Sequence, residues 1–307
     1  EFLTGDSMAF MPTGSVPYQQ YVKSEIPSLA SRLGKLGYTT TAIHPYYGSG
    51  WCRNIVYPLL GFDQMIFKDD FAAPKKIRNY ISDESAFQKI IELYEEKGVG
   101  EKLFTFEVTM QNHGGYSKDV EDFNESIYLT DEMSQGTQVR AAEKYLTLIR
   151  ESDQAFKELV EYFEKQQEPT IILMFGDHQP SDYITNVILR ELGLDRDTDD
   201  DVYYNNYIVP YIMWSNYDMD TTQVENVSLN YLGGMLMEKA GIGLTGYQQF
   251  LKEMQKDFPA ITANMIMNAD GSRVAEKDVQ SEWIENYHKL VYNHLCDKKD
   301  KLTQFYE

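Results

Sequence analysis

Thr170-Ile171-Ile172-Leu173-Met174-Phe175-Gly176-Asp177-His178-Gln179-Pro180 opens with an unbroken apolar run and stops on glycine, a carboxylate and an imidazole. A run this short, bounded by Gly176 and Pro180, suits a strand buried on both faces, as strands of parallel sheets are. Upstream lies a long helical pattern, Gln138–Lys165, with Tyr145, Leu148, Ile149, Phe156, Leu159, Val160 and Phe163 as its apolar stripe. Before it, Leu103–Met110 reads as a strand ending at Gln111-Asn112-His113, and Ser85–Glu96 as a helix. Tyr38–Ile43 is Thr-rich and β-branched, a further strand that runs into His44-Pro45-Tyr46-Tyr47-Gly48-Ser49-Gly50. It follows a short amphipathic helix within Ile26–Gly37. Downstream, Tyr207–Trp214 reads as a strand, and Leu229–Lys239, Tyr247–Gln255 and Val279–Leu295 as helices. Asp195–Asp201 is acidic and reads as a solvated loop. Strands alternating with helices predict an α/β fold around a mostly parallel central sheet. We place a core at 1–217 and a smaller C-terminal α+β subdomain at 218–307.

The chain has 307 residues, enough for a large buried core, and 48 Asp plus Glu against 28 Lys plus Arg give a net charge of −20. Such a surface repels nucleic acid and anionic headgroups, so no nucleic-acid partner is expected. An anionic substrate would need a bound metal or a local Arg to overcome that field. No apolar stretch approaches the ~18 residues of a membrane span. Cys52 and Cys296 make no disulfide framework and read as separate thiols. The opening Glu1-Phe2-Leu3-Thr4-Gly5 carries neither an initiator Met nor a signal peptide, and reads as a piece of something longer.

Three predicted strands end in a histidine, at His44, His113 and His178, of five histidines in all. Ligands of open α/β sheets sit beyond the carboxyl ends of the strands, so the three together define a pocket. Asp177-His178 offers one hard oxygen and one nitrogen to a divalent cation. The alternative is that Asp177 caps a turn and His178 bonds the backbone. Trp51 and Arg53 lie on the glycine-rich loop after the first strand. A guanidinium presents paired donors to phosphate or sulfate; the alternative is an Arg stacked on a surface Trp. Gly241–Gly246 follows a helix and carries no Lys, so it is no phosphate-binding P-loop.

These residues, taken in order, resemble one family. Glu1-Phe2-Leu3-Thr4-Gly5, Ser15-Val16-Pro17-Tyr18, the block from His44 through Trp51-Cys52-Arg53-Asn54, Leu60-Gly61-Phe62-Asp63, Thr109-Met110-Gln111-Asn112-His113 and Phe175–Pro180 are similar to the sulfatase-like extracellular domain of lipoteichoic acid synthases and related phosphoglycerol transferases, within the alkaline phosphatase superfamily. The resemblance implies transfer of glycerol phosphate from phosphatidylglycerol to a glycan or polyglycerophosphate acceptor, through a Thr nucleophile and a divalent metal, typically Mn2+. It implies Asp177 and His178 as metal ligands, His113 as the substrate-contacting or proton-shuttling histidine, and Trp51, Arg53 and His44 as the phosphate and glycerol pocket. Tyr46 stands where some members carry an acidic residue. The family's nucleophile and a metal-binding Glu lie upstream of the segment matching Glu1, and Thr4 falls downstream of the nucleophile's place. The expectation is therefore that residues 1–307 alone are inactive, and that the intact enzyme is anchored outside the cell membrane by N-terminal helices. A sulfatase, phosphodiesterase or phosphoethanolamine transferase remains open as an alternative, as does a catalytically dead domain that binds envelope polymer. The Trp51–Arg53 block argues for glycerol phosphate.

Overall fold

The computed structural model describes residues 1–116, 120, 123–130, 136–195, 198–221, 226–263 and 265–307. Its centre is a parallel three-stranded sheet. Strand β1 (Tyr38–His44) lies between β2 (Gln64–Phe67) and β3 (Lys102–Glu107), with Ile43 opposite both Ile66 and Glu107. Helix α1 (Leu29–Lys35) precedes β1 and starts later than the apolar pattern alone suggests, because Ser28 and Ser31 form a reciprocal cap. Helix α2 (Arg53–Leu59) joins β1 to β2, and α3 (Asp83–Glu96) leads into β3. The long helix α4 (Thr137–Phe163) follows, then β4 (Ile171–Phe175) and α5 (Asp182–Glu191).

The last strand of this region, β5 (Tyr211–Ser215), pairs antiparallel with β4, so parallel order does not extend to it. Its start also falls later than Tyr207, since Pro210 has no N–H for a ladder and Tyr207 and Ile208 close a turn after the helix Asp200–Asn205. That helix occupies part of the acidic stretch read as a loop, with Asp199 as its cap; residues 196–197 lie outside the described ones. Helices α6 (Leu229–Lys239), α7 (Gly246–Met254) and α8 (Glu282–Leu295) occupy the predicted positions within a few residues. A small antiparallel meander, Ala260–Ile261, Ile266–Met267 and Arg273–Val274, sits among them. No described helix is long and apolar enough to cross a membrane.

Among the described residues the buried side chains form five clusters, of which two tie the parallel sheet and the N-terminal segment to the C-terminal helices. The first gathers Phe2, Leu29, Leu33, Tyr57, Leu60 and Phe62 with Phe104, Phe106 and Phe175. Phe2 bridges β3 and β4, its ring 5.9 Å from Phe106 and 5.1 Å from Phe175. Each fully buried leucine here contributes about 2 kcal/mol. The second core joins Tyr247, Leu251, Met254, Ile261, Ile284, Tyr287 and Val291. Helix α6 serves both, Leu232 and Met237 in the first and Tyr231 in the second.

The N-terminal segment is tied into the second core by polar contacts. The Gly5 carbonyl accepts from Tyr287 Oη at 2.7 Å and Tyr247 Oη at 3.3 Å. Asp6 accepts from Tyr247 Oη at 2.9 Å and from His294 Nδ1 at 3.0 Å, with Asp6 and His294 only 3% and 1% exposed. His294 stacks on Tyr306, ring centroids 4.1 Å apart.

Glu107, on the β3 face toward α3, is partly exposed as a residue, yet both of its carboxylate oxygens are buried without a hydrogen-bond partner. Burial, reinforced by the Asp83 charge, pushes its carboxyl well above the ordinary 4.5. A raised folded-state value means full stability below about pH 4.5, lost as pH rises through that value. Glu107→Gln should therefore raise stability at pH 7.5 by about 1–2 kcal/mol and leave it unchanged near pH 4. Urea midpoints at the two pH values check this; an equal offset at both would refute it.

Candidate active site

The carboxyl ends of β1, β2 and β3 converge on one rim. At the end of β1, His44 is 1% exposed and its Nδ1 donates to the Val108 carbonyl at 2.8 Å. That bond extends the β1–β3 ladder by a side chain and fixes the tautomer, leaving Nε2 as an acceptor. Burial above all, partly offset by the Val108 bond and helped by the charges of Arg53 and His113, lowers the His44 value to about 4. His44 is therefore a neutral imidazole at neutral pH, and its electrostatic coupling places Arg53 and His113 in its neighbourhood.

Arg53 begins α2, after Trp51 and Cys52 have both taken left-handed backbone, φ 55° and 58°. Two successive non-glycine residues in that region cost about 1 kcal/mol or more each, and what the turn gains is the placing of the Arg53 head. Its Nη1 donates to the Gly50 carbonyl at 3.1 Å and its guanidinium stands 5.8 Å from the Trp51 ring. Its Nε is buried with no partner among the described residues. A buried donor left open costs about 1–3 kcal/mol, unless an anion takes it up. Trp51 is 54% exposed, so the stacked pair is half in solvent, half in the pocket.

His113 stands exposed because its neighbours carry the anchoring. Gln111 is buried, donating to Leu148 O at 3.3 Å and accepting from Asp83 N at 3.0 Å, while Asn112 Nδ2 donates to Ser152 Oγ at 2.7 Å. The hairpin Lys76–Ile77 with Tyr80–Ile81 supplies a second support. Its turn residues Arg78 and Asn79 have φ 53° and 72°, the geometry of a two-residue hairpin turn. Arg78, 5% exposed, donates from Nη2 to the carbonyls of His113 (3.4 Å) and Gly114 (3.2 Å). Ring contacts then run along the rim. Tyr46 lies 6.3 Å from His44 and 5.9 Å from Tyr80, and Tyr80 lies 6.0 Å from His113. Lys68, just after β2, sits 4.5 Å above the Tyr47 ring and 5.8 Å from that of Tyr46. Sequence reading named His44, Tyr46, Trp51, Arg53 and His113 but passed over Lys68, Arg78 and Tyr80. The signal for the last two was the short hairpin around Arg78-Asn79, too brief to register as strands.

Asp177 and His178 form a pair of their own at the end of β4. Their side chains are 73% and 75% exposed, and no hydrogen bond, ion pair or ring contact ties them to His44, Arg53 or His113. Gly176 is required there, since a Cβ would stand 2.9 Å from Val209 Cβ. His178 Nδ1 is 2.7 Å from the Gln179 carbonyl, which leaves Nε2 as a lone-pair donor, 3.6 Å from Asp177 Oδ2. One oxygen and one nitrogen at that spacing suit two ligands of a single cation, with the imidazole oriented by its carbonyl partner. So His178 does bond the backbone, as the alternative reading of the sequence has it, and its Nε2 is left open. No group of three or more His, Cys, Asp or Glu among the described residues gathers to hold a metal. Cys52 and Cys296 are free thiols.

Comparison with known proteins matches a family model described as Sulfatase to residues 1–242. The chain is 32% identical over its whole length to a putative cyclic beta-1,2-glucan modification protein of Rhizobium meliloti (strain 1021), and spans 48% of that protein. It spans no more than about half the length of the curated relatives it matches. Among solved structures, Streptococcus pyogenes phosphoglycerol transferase GacH in complex with sn-glycerol-1-phosphate superposes with a TM-score of 0.67 at 19% identity, covering 97% of this chain and 72% of that one. Lipoteichoic acid synthase LtaP of Listeria monocytogenes gives a TM-score of 0.67 at 17% identity, over 94% and 75%. With a parallel sheet whose central strand ends at His44, His113 in the loop after β3, the Asp177-His178 pair and a family match over most of its length, this chain has the alkaline phosphatase and sulfatase-like fold and belongs to the sulfatase family.

Proposed function

We propose that the chain is the catalytic region of an extracellular, metal-dependent phosphoglycerol transferase, moving glycerol phosphate from phosphatidylglycerol to a cell-envelope glycan or polymer. The observation that carries this is Arg53. Its open, buried Nε, beside neutral His44 and the half-exposed Trp51, is a donor set waiting for a tetrahedral oxyanion with a small polar substituent. Arg53 binds phosphoryl oxygen, Trp51 covers the glycerol, His44 accepts a glycerol hydroxyl at Nε2, and exposed His113 contacts phosphoryl oxygen or moves a proton. Asp177 and His178 would hold a divalent cation, Mn2+ in this reading, which when bound supplies charge neutralisation on the phosphoryl group. Relatives with phosphoglycerol transferase and lipoteichoic acid synthase in their names support the donor class.

In this reading Asp177 and His178 are two ligands of an incomplete metal site, so residues 1–307 bind the donor headgroup without turning it over. Membrane attachment through N-terminal helices belongs to the same reading of the intact protein. This reading keeps 1–217 as the catalytic part and 218–307 as a subdomain packed on it, with a core around Tyr247 and Tyr287 that is joined to the first through α6.

The test is calorimetric competition on the chain itself. sn-Glycerol-1-phosphate should bind about tenfold more tightly than phosphoethanolamine or methyl sulfate, because only the glycerol hydroxyls satisfy His44 and the Trp51 side of the pocket. Equal or tighter binding of phosphoethanolamine or sulfate moves the chain to another branch of the superfamily.

A further inference from the structure

We propose that the face around Trp51 and Ile55 rests on the bilayer that holds the donor lipid, so that the headgroup enters the Arg53 pocket without leaving the membrane. This rests on the transferase reading above and gives its donor site a partner surface.

The first ground is charge. A quarter of the chain's residues are charged, and their sum is −20. Two segments depart from that pattern. Ser7–Val22 carries no charged residue, and His44–Phe62 carries one, Arg53. They are neighbours in space: Pro17–Gln20 packs against Gly50–Cys52, and the rings of Tyr18 and Tyr57 stand 6.1 Å apart. Eleven residues of the two segments are exposed, Pro12, Gln19, Tyr47 and Asn54 among them, and none of the eleven is charged. Contact with water does not call for such a clearing, since exposed positions are where charged residues normally sit. A surface of anionic headgroups does, because every carboxylate facing it is repelled. The border fits the same contact. Lys23 follows the first segment, and Lys68 lies over the Tyr47 ring at 4.5 Å, two long stems able to carry their charge to headgroups. Of the carboxylates that follow, Asp63 accepts from Thr40 N at 2.9 Å and Asp70 from Phe67 N at 2.8 Å, and Asp69 is exposed beyond Lys68.

The second ground is what stands outermost. Ile55 is 60% exposed, and it shares the outer side of α2 with exposed Pro58 while Val56 and Tyr57 are buried. Trp51 is held outward by left-handed backbone, and Tyr47 is steadied by Lys68 Nζ, which donates to its Oη at 3.3 Å. Indole and phenol rings suit the boundary between headgroups and acyl chains, and an isoleucine suits the layer beneath it. Arg53 sits between Trp51 and Ile55 in the chain, its guanidinium 5.8 Å from the indole, so the anion pocket opens within this face.

The third ground is size. A stable contact between proteins takes about 20–30 residues from each side. The eleven exposed residues here, with Tyr47, Trp51 and Ile55 as the large apolar ones, fall short of that. They suffice for shallow insertion, which reaches ~5–10 Å into the headgroup and acyl boundary.

The experiment sediments residues 1–307 with vesicles of equal parts phosphatidylcholine and phosphatidylglycerol, for the parent chain, Ile55→Glu, Ile55→Leu and Leu192→Glu. Leu192, 65% exposed after α5, controls for the added charge. The parent, Ile55→Leu and Leu192→Glu should bind the vesicles alike, and Ile55→Glu about tenfold less. Lipid brominated close to the headgroup should quench the parent's tryptophan emission, through Trp51, because Trp214 and Trp283 are half-buried. Unchanged melting temperatures keep a folding defect from imitating the loss. The proposal is overturned if the parent does not bind the vesicles, if Ile55→Glu binds them as well as the parent, or if the bromines leave the emission unchanged. A parent that ignores vesicles and dimerises, with Ile55→Glu monomeric, overturns it in favour of a second copy on this face. Calorimetry with sn-glycerol-1-phosphate judges the donor reading separately, and Ile55→Glu should bind it within twofold of the parent. If that ligand fails to bind while vesicle binding stands, the donor reading is removed and the docking face remains.

Discussion

Arg53→Ala should weaken sn-glycerol-1-phosphate binding to the chain by about 30- to 150-fold, the largest effect expected of any single change at the rim. Two charge-assisted hydrogen bonds to phosphoryl oxygen together amount to about 2–3 kcal/mol after the cost of desolvation. The alanine also abolishes the stacking against Trp51, so the glycerol cover loosens with the anion clamp. Arg53→Lys separates the contributions. It keeps the charge but not the planar fork, and should recover only part of the affinity. The change also removes the Nη1 bond to the Gly50 carbonyl and the contact with the buried Tyr57 hydroxyl, so melting temperatures are measured beside the affinities. Calorimetry with sn-glycerol-1-phosphate and with inorganic phosphate reads the effect. If Arg53→Ala binds either ligand within twofold of the parent, the guanidinium is a surface ornament of Trp51 and the anion pocket lies elsewhere.

Asp6→Ala should destabilise the fold by about 3–5 kcal/mol, lowering the melting temperature by roughly 10 °C. The reason is what the missing carboxylate leaves behind. His294 Nδ1 loses its acceptor while remaining buried, Tyr247 Oη is left with only the longer bond to the Gly5 carbonyl, and His294 Nε2 is already without a partner among the described residues. His294→Ala should cost a comparable amount by stranding the carboxylate. The double variant should cost clearly less than the sum, because each single change has already broken the shared contact. Denaturant unfolding of the four proteins makes the cycle. Strict additivity, or single effects below about 1 kcal/mol, would show that this pair is incidental to holding the N-terminal segment in place.

Much of the architecture was legible because it is locally written. The stripe on α4 and the Thr-rich β1 announce themselves by period and length and stand where the pattern places them; the run before Gly176 is a strand as read, but it is half-buried and paired antiparallel with β5 in a separate sheet, not buried on both faces. The antiparallel direction of β5 was not legible. Strand composition is silent on direction, and only the connection through residues 181–210 decides it. His44, Arg53 and His113 could be named because they follow strand ends, the one place where α/β topology tells a reader to look. Lys68 and Arg78 could not, since they serve the site from supporting loops, by stacking and by bonding carbonyls. The backbone bond of His178 to the Gln179 carbonyl could not be read either, since it depends on how the chain turns after β4. Asp6 and His294 were out of reach altogether: they lie 288 positions apart, and no local pattern connects them.

That separation also bears on how the protein reaches its native state. During synthesis residues 1–7 are made long before α8 and Tyr306, and must wait for them, since Tyr287 and His294 supply their bonds and Tyr306 stacks on His294. Contacts of such long range close late and slowly, after the elements between them have formed. The N-terminal segment is thus the last piece to lock, and a chain interrupted anywhere before α8 would carry a formed parallel sheet with Phe2 and Asp6 not yet secured. Loss of the C-terminal helices by proteolysis should consequently be felt first at the opposite end of the sequence.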